Sequence, residues 1–324
     1  MSILESGLKS AVLHGATSLL RGGLVAFPTE TVYGLGADAN NEVAVARVYA
    51  VKGRPTGHPL IVHISSFDLL PSWASQIPGY AKKLADKFWP GPMTLILPRT
   101  KLAKDFITGG QENVGVRIPS HNVALELLKE FESQGGLGVA APSANRFGAV
   151  SPTTAHAVRT ELEDFLTKDD QILDGGPCEV GVESTIIDCT GNVPRILRPG
   201  GITQEMIENL LEISIGAQKL QRKGSENIKA SGLLESHYAP KAKIHLSGSA
   251  SAGDGFLALE SFATPTGAIR VAAPKSNEEY AKILYEAFRR ADMLGLSKLF
   301  AIPATDGGIA AAINDRLSRA AFEK

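Results

Sequence analysis

Short apolar runs alternate with helical patterns along the first two hundred residues of the chain. Between the runs lie stretches of helical character at 42–51, 79–88 and 122–132. Alternation of this kind predicts an α/β sheet covered by helices. The predicted strands are Leu24–Phe27, Leu60–Ile64, Thr94–Leu97, Gly115–Ile118 and Val139–Ala141.

A hairpin and a helix are predicted to complete this first domain. Thr185–Cys189 and Pro194–Leu197 are two strand-like runs separated by a short turn. Thr203 is suited to cap a helix that continues to Glu212. We therefore expect residues 1–212 to form a twisted open α/β sheet with helices.

The periodic pattern stops between residues 213 and 240, where Gln, Lys, Ser, Gly and Asn gather, and we interpret this segment as a linker. The pattern resumes near Lys243 and includes a helix at 277–293 with one apolar face. With a last helix near 308–321, it predicts a smaller C-terminal Rossmann-like α/β domain over 241–324. The predicted strands of this domain are Ile244–Leu246, Gly255–Leu259, Ala268–Ala272 and Leu299–Ile302.

Composition excludes several classes of function. A formal net charge of −1 over 324 residues provides no overall field for nucleic acid or a membrane surface. The only cysteines are Cys178 and Cys189, which excludes a cysteine-built zinc site and fits a reducing compartment. The amino terminus has an amphipathic rather than a signal-peptide pattern, and no apolar stretch is long enough to span a membrane. We expect a cytoplasmic protein.

Two compact polar groups occur where apolar strands meet loops. They are Lys52-Gly53-Arg54-Pro55 and Ser143-Ala144-Asn145. Ligands of open α/β sheets bind at the carboxyl ends of strands, so two cations and two neutral hydrogen-bonding side chains there suit a polyphosphate. Each group also has a structural interpretation, because Lys52-Gly53 is typical of a helix C-terminus and Ser143 and Asn145 are typical of a turn. The chain has no P-loop and no complete dinucleotide fingerprint, so ATP would bind without either.

Ser151 and Pro152 are predicted to be the N-cap and the first residue of a helix running through Ala155 and Val158. A phosphate or a ribose at this helix N-terminus is the added functional interpretation.

Six segments rich in Gly, Pro and polar residues follow one another in a fixed order. They are Gly22–Gly36, Lys52–Pro55, Trp89–Leu95, Val116–Pro119, Ala141–Asn145 and Val182–Asp188. In this order they resemble the YrdC-like domain of the L-threonylcarbamoyl-AMP synthase family. His237-Tyr238-Ala239-Pro240 extends the resemblance to the linker of the longer, two-domain form. The preceding segment, Ala230–Ser236, departs from the Ser-Pro-Gly-Met-like sequence that is usual there in the family.

The resemblance implies a phosphate site. Lys52, Arg54, Ser143 and Asn145 would form the family's catalytic tetrad, in which cations neutralise a leaving pyrophosphate and neutral donors hold the α-phosphate. Mg²⁺ would bridge phosphate oxygens, with no metal site of the protein's own. The implied ATP contacts are Arg54, His58, Ser143, Ser151, Arg198 and Ser231. Taken alone, Arg198 is also typical of an exposed strand end.

The resemblance also implies a threonine site. Arg117 offers a fork suited to a carboxylate. Taken alone, His63 is typical of a packed or solvated histidine, and Thr31 and Ser184 of strand residues bonded to their neighbours. Glu30 and Glu183 are not assigned as bases, because a carbamate is already an anion and needs positioning more than deprotonation. The implied contacts are Thr31, His63, Arg117, the backbone of Ala141, and Ser184.

The implied activity is the synthesis of threonylcarbamoyl-AMP and pyrophosphate from L-threonine, bicarbonate or CO₂, and ATP. The product would pass to a separate tRNA threonylcarbamoyl transferase. His237 and Tyr238 would belong to a lid that excludes water from the unstable carbamate and adenylate.

Two other functions remain open at this point. The first is a double-stranded RNA-binding module, whose basic surface would draw on Lys52, Arg54, Lys101, Lys104 and Arg117 and whose binding would weaken with salt. The second is a carbamoyl-transfer maturation enzyme with a related domain. Those enzymes also carry cysteine-rich zinc modules, which this chain lacks.

Overall fold

The computed structural model describes residues 6–215, 228–230, 232, 238–305 and 307–322. Within them, the N-terminal domain contains one large mixed sheet. Its strands are β1 (Val25–Phe27), β2 (Gly34–Asp38), β3 (Ile61–His63), β4 (Met93–Pro98), β5 (Asn113–Arg117), β6 (Val139–Ala140), β7 (Gln171–Ile172), β8 (Thr185–Asp188) and β9 (Arg195–Arg198).

The order of these strands brings the predicted polar residues together. It is β7-β1-β2-β6-β3-β5-β4-β8-β9. Strand β3 pairs in parallel with β5, so that His63 lies opposite Arg117, and antiparallel with β6, so that Val62 lies opposite Ala140. The predicted hairpin is present as the antiparallel pair β8–β9.

Helices cover this sheet. Helix α2 begins after Asn41, whose side chain accepts the N–H of Ala44, and ends at Gly53 in the left-handed region (φ 62°). Two 3₁₀ turns lie at Phe67–Leu69 and Glu163–Phe165. The helices are α1 (Ser6–Leu20), α2 (Glu42–Lys52), α3 (Leu70–Trp73), α4 (Gly79–Phe88), α5 (Asp105–Thr108), α6 (Asn122–Ser133), α7 (Ala155–Leu162) and α8 (Gln204–Leu211).

The helix predicted to begin at Ser151-Pro152 begins later, and that prediction is wrong. Its N-cap is Thr154, whose side chain accepts the N–H of Ala157. The carbonyl of Pro152 instead accepts the N–H of Tyr33, and the carbonyl of Thr153 accepts that of Cys178. These non-local bonds hold residues 151–153 out of the helix. A local capping pattern carries no information about such bonds, so it predicted the wrong start.

The C-terminal domain is a smaller layered α/β unit. Its four strands are all parallel and form the order β10-β13-β11-β12. Together with the large sheet, this arrangement confirms the predicted fold class. No helix in the described ranges has both the length and the apolar character needed to cross a membrane. The elements are β10 (Lys243–His245), β11 (Gly255–Leu257), β12 (Ile269–Ala272), α9 (Asn277–Met293), β13 (Lys298–Ala301) and α10 (Ala310–Ala320).

The two domains share a buried apolar cluster. Val32, Val150 and Val182 of the N-terminal domain belong to the same cluster as residues of α9 and α10. Gly181 comes so close to α9 that a Cβ there would lie 2.4 Å from the Cα of Lys282. The C-terminal domain is therefore packed directly beside the segments that precede α7 and β8.

Strand β2 depends on a glycine that sits against two side chains. An added Cβ at Gly36 would lie 2.6 Å from Cγ1 of Val139 and 2.8 Å from the ring of Phe27. We expect Gly36→Ala to lower the free energy of unfolding by about 1–3 kcal/mol, since overpacking forces neighbours off their preferred positions. Urea denaturation measures this, with the exposed Gly79→Ala, where no atom lies within 4 Å, as control. Equal stability of the two variants would contradict the packing argument.

Candidate active site

A cleft of about 540 Å³ opens beside the central strands of the large sheet. Its wall is formed by residues from the β1–β2 connection, from the ends of β3, β5 and β6, and from the segments flanking β8 and β9. The cleft brings together nine of the residues implied by the motif resemblance. They are Thr31, Arg54, His63, Arg117, Ala141, Ser143, Ser184, Arg198 and Tyr238.

Arg117 is held at the cleft by a buried ion pair. Its Nη2 donates to Oε1 of Glu30 at 2.7 Å and to Oγ1 of Thr31 at 2.9 Å. The other carboxylate oxygen of Glu30 accepts the N–H of Ser120. Nε of Arg117 is buried and has no hydrogen-bond partner among the described residues. A buried donor without a partner is costly, and this one belongs to a residue that lines the cleft, so it is available to an acceptor there.

His63 is an uncharged residue that lines the same cleft. Burial first, and the nearby Arg117 second, lower the pKa of His63 to about 3. Its ring packs edge-on against Phe27, with 5.9 Å between ring centroids, and Nδ1 has no partner within the described chain. At neutral pH His63 can therefore exchange hydrogen bonds with a ligand but cannot supply a charge.

Lys52 is placed behind the cleft rather than on its wall. Its Nζ donates to the carbonyls of Ser143 and Asn145, both at 2.5 Å. Burial, and then the charge of Arg54, lower the pKa of Lys52 well below its ordinary value. The geometry makes Lys52 a clamp on the Ser143–Asn145 turn. Gly53 ends α2 as predicted, but the lysine side chain turns inward instead of opposing the helix dipole in solvent.

Arg54 and Ser143 carry the polar chemistry of this end of the cleft. Nη2 of Arg54 donates to the carbonyl of Pro59 at 3.1 Å, and its guanidinium lies 5.8 Å from the ring centroid of Phe147. The Asn145 amide donates to the carbonyls of Arg146 and Ala149, which shapes the loop. Of the predicted tetrad, Arg54 and Ser143 line the cleft. Lys52 and Asn145 support the turn behind it.

The remaining predicted ATP contacts have different environments. Arg198 is buried rather than an exposed strand end, and its Nε and Nη2 donate to the carbonyl of Ser184 at 3.1 and 2.9 Å. His58 is half-buried against Phe147 and does not line the cleft. The Ser151 hydroxyl donates to Oε1 of Glu183 at 2.6 Å. Ser231 and His237 lie outside the described residues.

Sequence reasoning missed a buried network around Glu183, which lines the cleft. Its Oε2 accepts both Tyr285 Oη and Arg316 Nε at 2.8 Å, and both donors belong to the C-terminal domain. Burial alone would raise the pKa of Glu183, but Arg316 and then Arg198 hold it at about 2. The available signal was the pattern of α10, in which Arg316 occupies the same face as Ile313 and Leu317.

The linker reaches the cleft at two described positions. Gly232 (φ 79°) and Tyr238 (φ 64°) both line it, and Tyr238 stacks on Tyr285 with 5.6 Å between centroids. Lys229 exchanges two backbone bonds with the Gln111 side chain, at 2.7 and 3.0 Å. A second, smaller cleft of about 310 Å³ lies beside this attachment. The linker thus contacts the N-terminal domain on both sides of Gly232.

Sequence comparisons relate the chain to one family of known proteins. A family model described as "Telomere recombination" matches residues 17–200, and one described as "Threonylcarbamoyl-AMP synthase, C-terminal domain" matches residues 202–322. The chain is 49% identical to a threonylcarbamoyl-AMP synthase of Pyrococcus abyssi over 69% of its own length and 64% of that relative. It is 38% identical to the threonylcarbamoyl-AMP synthase of Bacillus subtilis over 96% of its own length and 92% of that relative.

Solved structures give the same result. The crystal structure of Pyrococcus abyssi Sua5 complexed with L-threonine superposes with a TM-score of 0.84 at 37% identity, covering 97% of this chain and 94% of that one. This confirms the family predicted from the ordered motifs. The chain belongs to the threonylcarbamoyl-AMP synthase family, in its two-domain form.

Proposed function

We propose that this chain forms threonylcarbamoyl-AMP and pyrophosphate from L-threonine, bicarbonate or CO₂, and ATP. The observation that carries the proposal is one cleft lined by three arginines in two different environments. Arg117 presents an unpartnered donor at one side, while Arg54 and Arg198 border the other. Pyrophosphate release from ATP should require threonine and bicarbonate together, and release without either would contradict the proposal.

The Arg117 side suits the amino acid. Its unpartnered Nε is placed to donate to the threonine carboxylate, in a charge-assisted bond. Thr31 and neutral His63 lie beside Arg117, and Ser184 and Ala141 line the same cleft, which offers polar groups for a hydroxyl and an apolar contact for a methyl. A relative from Pyrococcus abyssi has been crystallised with L-threonine, which supports this choice of amino acid.

The Arg54 side suits the triphosphate. The unprotonated threonine amine combines with CO₂ and releases a proton to solvent, which gives N-carboxy-threonine. A carbamate oxygen then attacks the α-phosphorus of ATP as pyrophosphate leaves. Arg54 and Arg198 stabilise the charge that develops on the phosphates. Lys52 and Asn145 contribute by holding the turn that presents Ser143.

Neither buried glutamate is needed as a base. Glu30 is bound by Arg117 and the N–H of Ser120, and Glu183 by Ser151, Tyr285 and Arg316. The carbamate is already an anion, so the chain's contribution is orientation and charge stabilisation.

Mg²⁺ is proposed to enter with ATP as its phosphate-bound counterion. The described residues contain no group of three or more His, Cys, Asp or Glu side chains that could hold a metal ion. Glu183 is the carboxylate that lines the cleft, and its oxygens are engaged by other side chains. This donor set fits a metal that the phosphates carry better than one that the protein binds by itself.

We further propose that the product passes to a tRNA threonylcarbamoyl transferase in the cytoplasm. Cys178 and Cys189 are buried free thiols, which is consistent with a reducing compartment. An RNA-binding role is less favoured, because Lys52, Arg54 and Arg117 are buried rather than part of an outer basic surface. Any weak RNA binding would depend on exposed residues such as Lys101 and Lys104.

Arg54 and Lys52 should affect turnover for different reasons. Arg54→Ala removes a charge from the cleft and should lower kcat by one to a few powers of ten, corresponding to about 2–4 kcal/mol. Lys52→Ala should lower kcat similarly by releasing the Ser143–Asn145 turn, and should also lower the thermal midpoint. Steady-state pyrophosphate release and thermal melts measure both effects, with Lys101→Ala as a surface control. Near-normal turnover of either cleft variant would contradict its assignment.

Arg117 should control the threonine requirement. Arg117→Ala and Arg117→Lys should both raise the KM for threonine by about tenfold to a hundredfold, the equivalent of about 1.5–3 kcal/mol for a hydrogen bond to a charged group. The lysine variant leaves Glu30 a counterion but lacks the guanidinium fork. ATP affinity, measured by calorimetry, should change little. A collapse of ATP affinity with unchanged threonine affinity would show that the two subsites are exchanged.

The linker should protect the unstable intermediates. Gln111→Ala removes both bonds that attach Lys229, so residues 228–230 should detach more often and admit water. We expect less threonylcarbamoyl-AMP per pyrophosphate released, measured by chromatography of both products. Gln134→Ala, at the exposed end of α6, is the control. An unchanged product ratio would mean that the attachment is only a connection between domains.

A further inference from the structure

A buried arginine of the C-terminal domain binds three parts of the active-site wall. Arg316 is fully buried. Its Nε donates to Glu183 at 2.8 Å, and its Nη2 donates to the carbonyl of Pro199 at 3.0 Å. Its guanidinium also lies 5.4 Å from the ring centroid of Tyr238. One side chain therefore contacts the segment before β8, the segment after β9 and the end of the linker.

Glu183 transmits this contact to the cleft. Its Oε2 is held by the C-terminal domain through Arg316 and Tyr285, while its Oε1 faces the N-terminal domain and accepts the Ser151 hydroxyl. The Ser151 hydroxyl hydrogen is thereby committed to Glu183, so this oxygen can offer only its lone pairs elsewhere. Protonated Glu183 would instead be able to donate to Ser151 and reverse that bond.

The charge around Glu183 comes from both domains. The ionisable or polar groups that face it are Ser151 ahead of α7, Arg198 of β9, Tyr238 of the linker, Tyr285 of α9 and Arg316 of α10. Arg316 is itself bound by its neighbour Asp315. Arg316 is in direct contact with the carboxylate, and Arg198 donates to Ser184.

We propose that Arg316 is a positioning residue of the active site, which fixes Glu183 as an oriented anion on the cleft wall and so makes the C-terminal domain part of the site. This inference rests on the proposed function, because Ser151 and Arg198 are its implied nucleotide contacts. Removing Arg316 leaves a buried carboxylate without its direct counterion, and such a group protonates at higher pH. Above the new pKa, Glu183 would be ionised and the site competent. Activity would therefore be lost as the pH falls below that pKa.

The test is the pH dependence of kcat/KM for ATP in Arg316→Gln, from pH 5 to pH 9. The ratio of variant to wild-type kcat/KM should fall about tenfold for each pH unit below a new apparent pKa, as expected for one essential ionisation. Combining Glu183→Gln with Arg316→Gln should abolish this extra ionisation and give a low ratio at every pH, because the carboxylate proposed to titrate is absent. A change in folded stability alone would not produce either result.

The matched control is Arg289→Gln. Arg289 also joins the two domains, by bonds to Glu161 and to the carbonyl of Val150, but it does not contact Glu183. Its pH profile should follow that of the wild-type chain. A wild-type profile for Arg316→Gln, or the same altered profile for both variants, would overturn the proposal.

Two further outcomes are informative. If Arg316→Gln gives no folded protein by circular dichroism, Tyr285→Phe carries the test, since it removes one donor to the same carboxylate without changing a charge. Because Arg316 remains, this variant is followed down to pH 3, where it should lose activity at a higher pH than the wild-type chain does. Coinciding profiles over that range would overturn the proposal. If the wild-type chain releases no threonine- and bicarbonate-dependent pyrophosphate, the proposed function fails instead. The pH dependence of ATP binding by calorimetry then decides the role of Arg316.

Discussion

Compensation of buried charge is the constraint on which the rest of this structure depends. Arg117 is paired with Glu30, and Arg316 with Glu183, with all four side chains shielded from solvent. Removing a charge from water costs several kcal/mol unless partners replace the lost hydration. Each buried cation is therefore supported by a carboxylate or by backbone carbonyls. The Nε–H of Arg117 has no partner among the described residues and is available to an acceptor that enters the cleft.

The same constraint explains the contact between the domains. Glu183 is held on the cleft wall by donors from both sides of the domain junction, so the large sheet alone would leave its Oε2 without Tyr285 and Arg316. The apolar cluster around Val32, Val150 and Val182 excludes water from this junction. Apolar packing thus supplies the low-dielectric surroundings in which a single arginine can strongly influence a carboxylate at the site.

The sequence predicted those features that depend on local order. Helix α9 was predicted with its observed bounds, and the motif resemblance placed nine side chains that share one cleft. Features set by non-local bonds were not predictable. Ser151 satisfies a capping pattern but bonds to Glu183, and β2 contains two glycines and no β-branched residue. Arg316 lies on the same face of α10 as Ile313 and Leu317, which indicates burial, but nothing in the last helix indicates a partner 133 positions earlier.

Lys52 and Glu183 show how residues near a reaction can serve it without touching the substrate's reacting atoms. Lys52 donates to the carbonyls that shape the Ser143–Asn145 turn, and Glu183 accepts hydrogen bonds from groups of two domains. A proton-transfer group would need a pKa near the working pH. The cations Arg316 and Arg198 instead hold the pKa of Glu183 at about 2 against the effect of burial, and both donors described for the Lys52 ammonium are directed to backbone carbonyls. These contacts favour a site that works by orientation and fixed charge, which is what the attack of an existing carbamate anion on ATP requires.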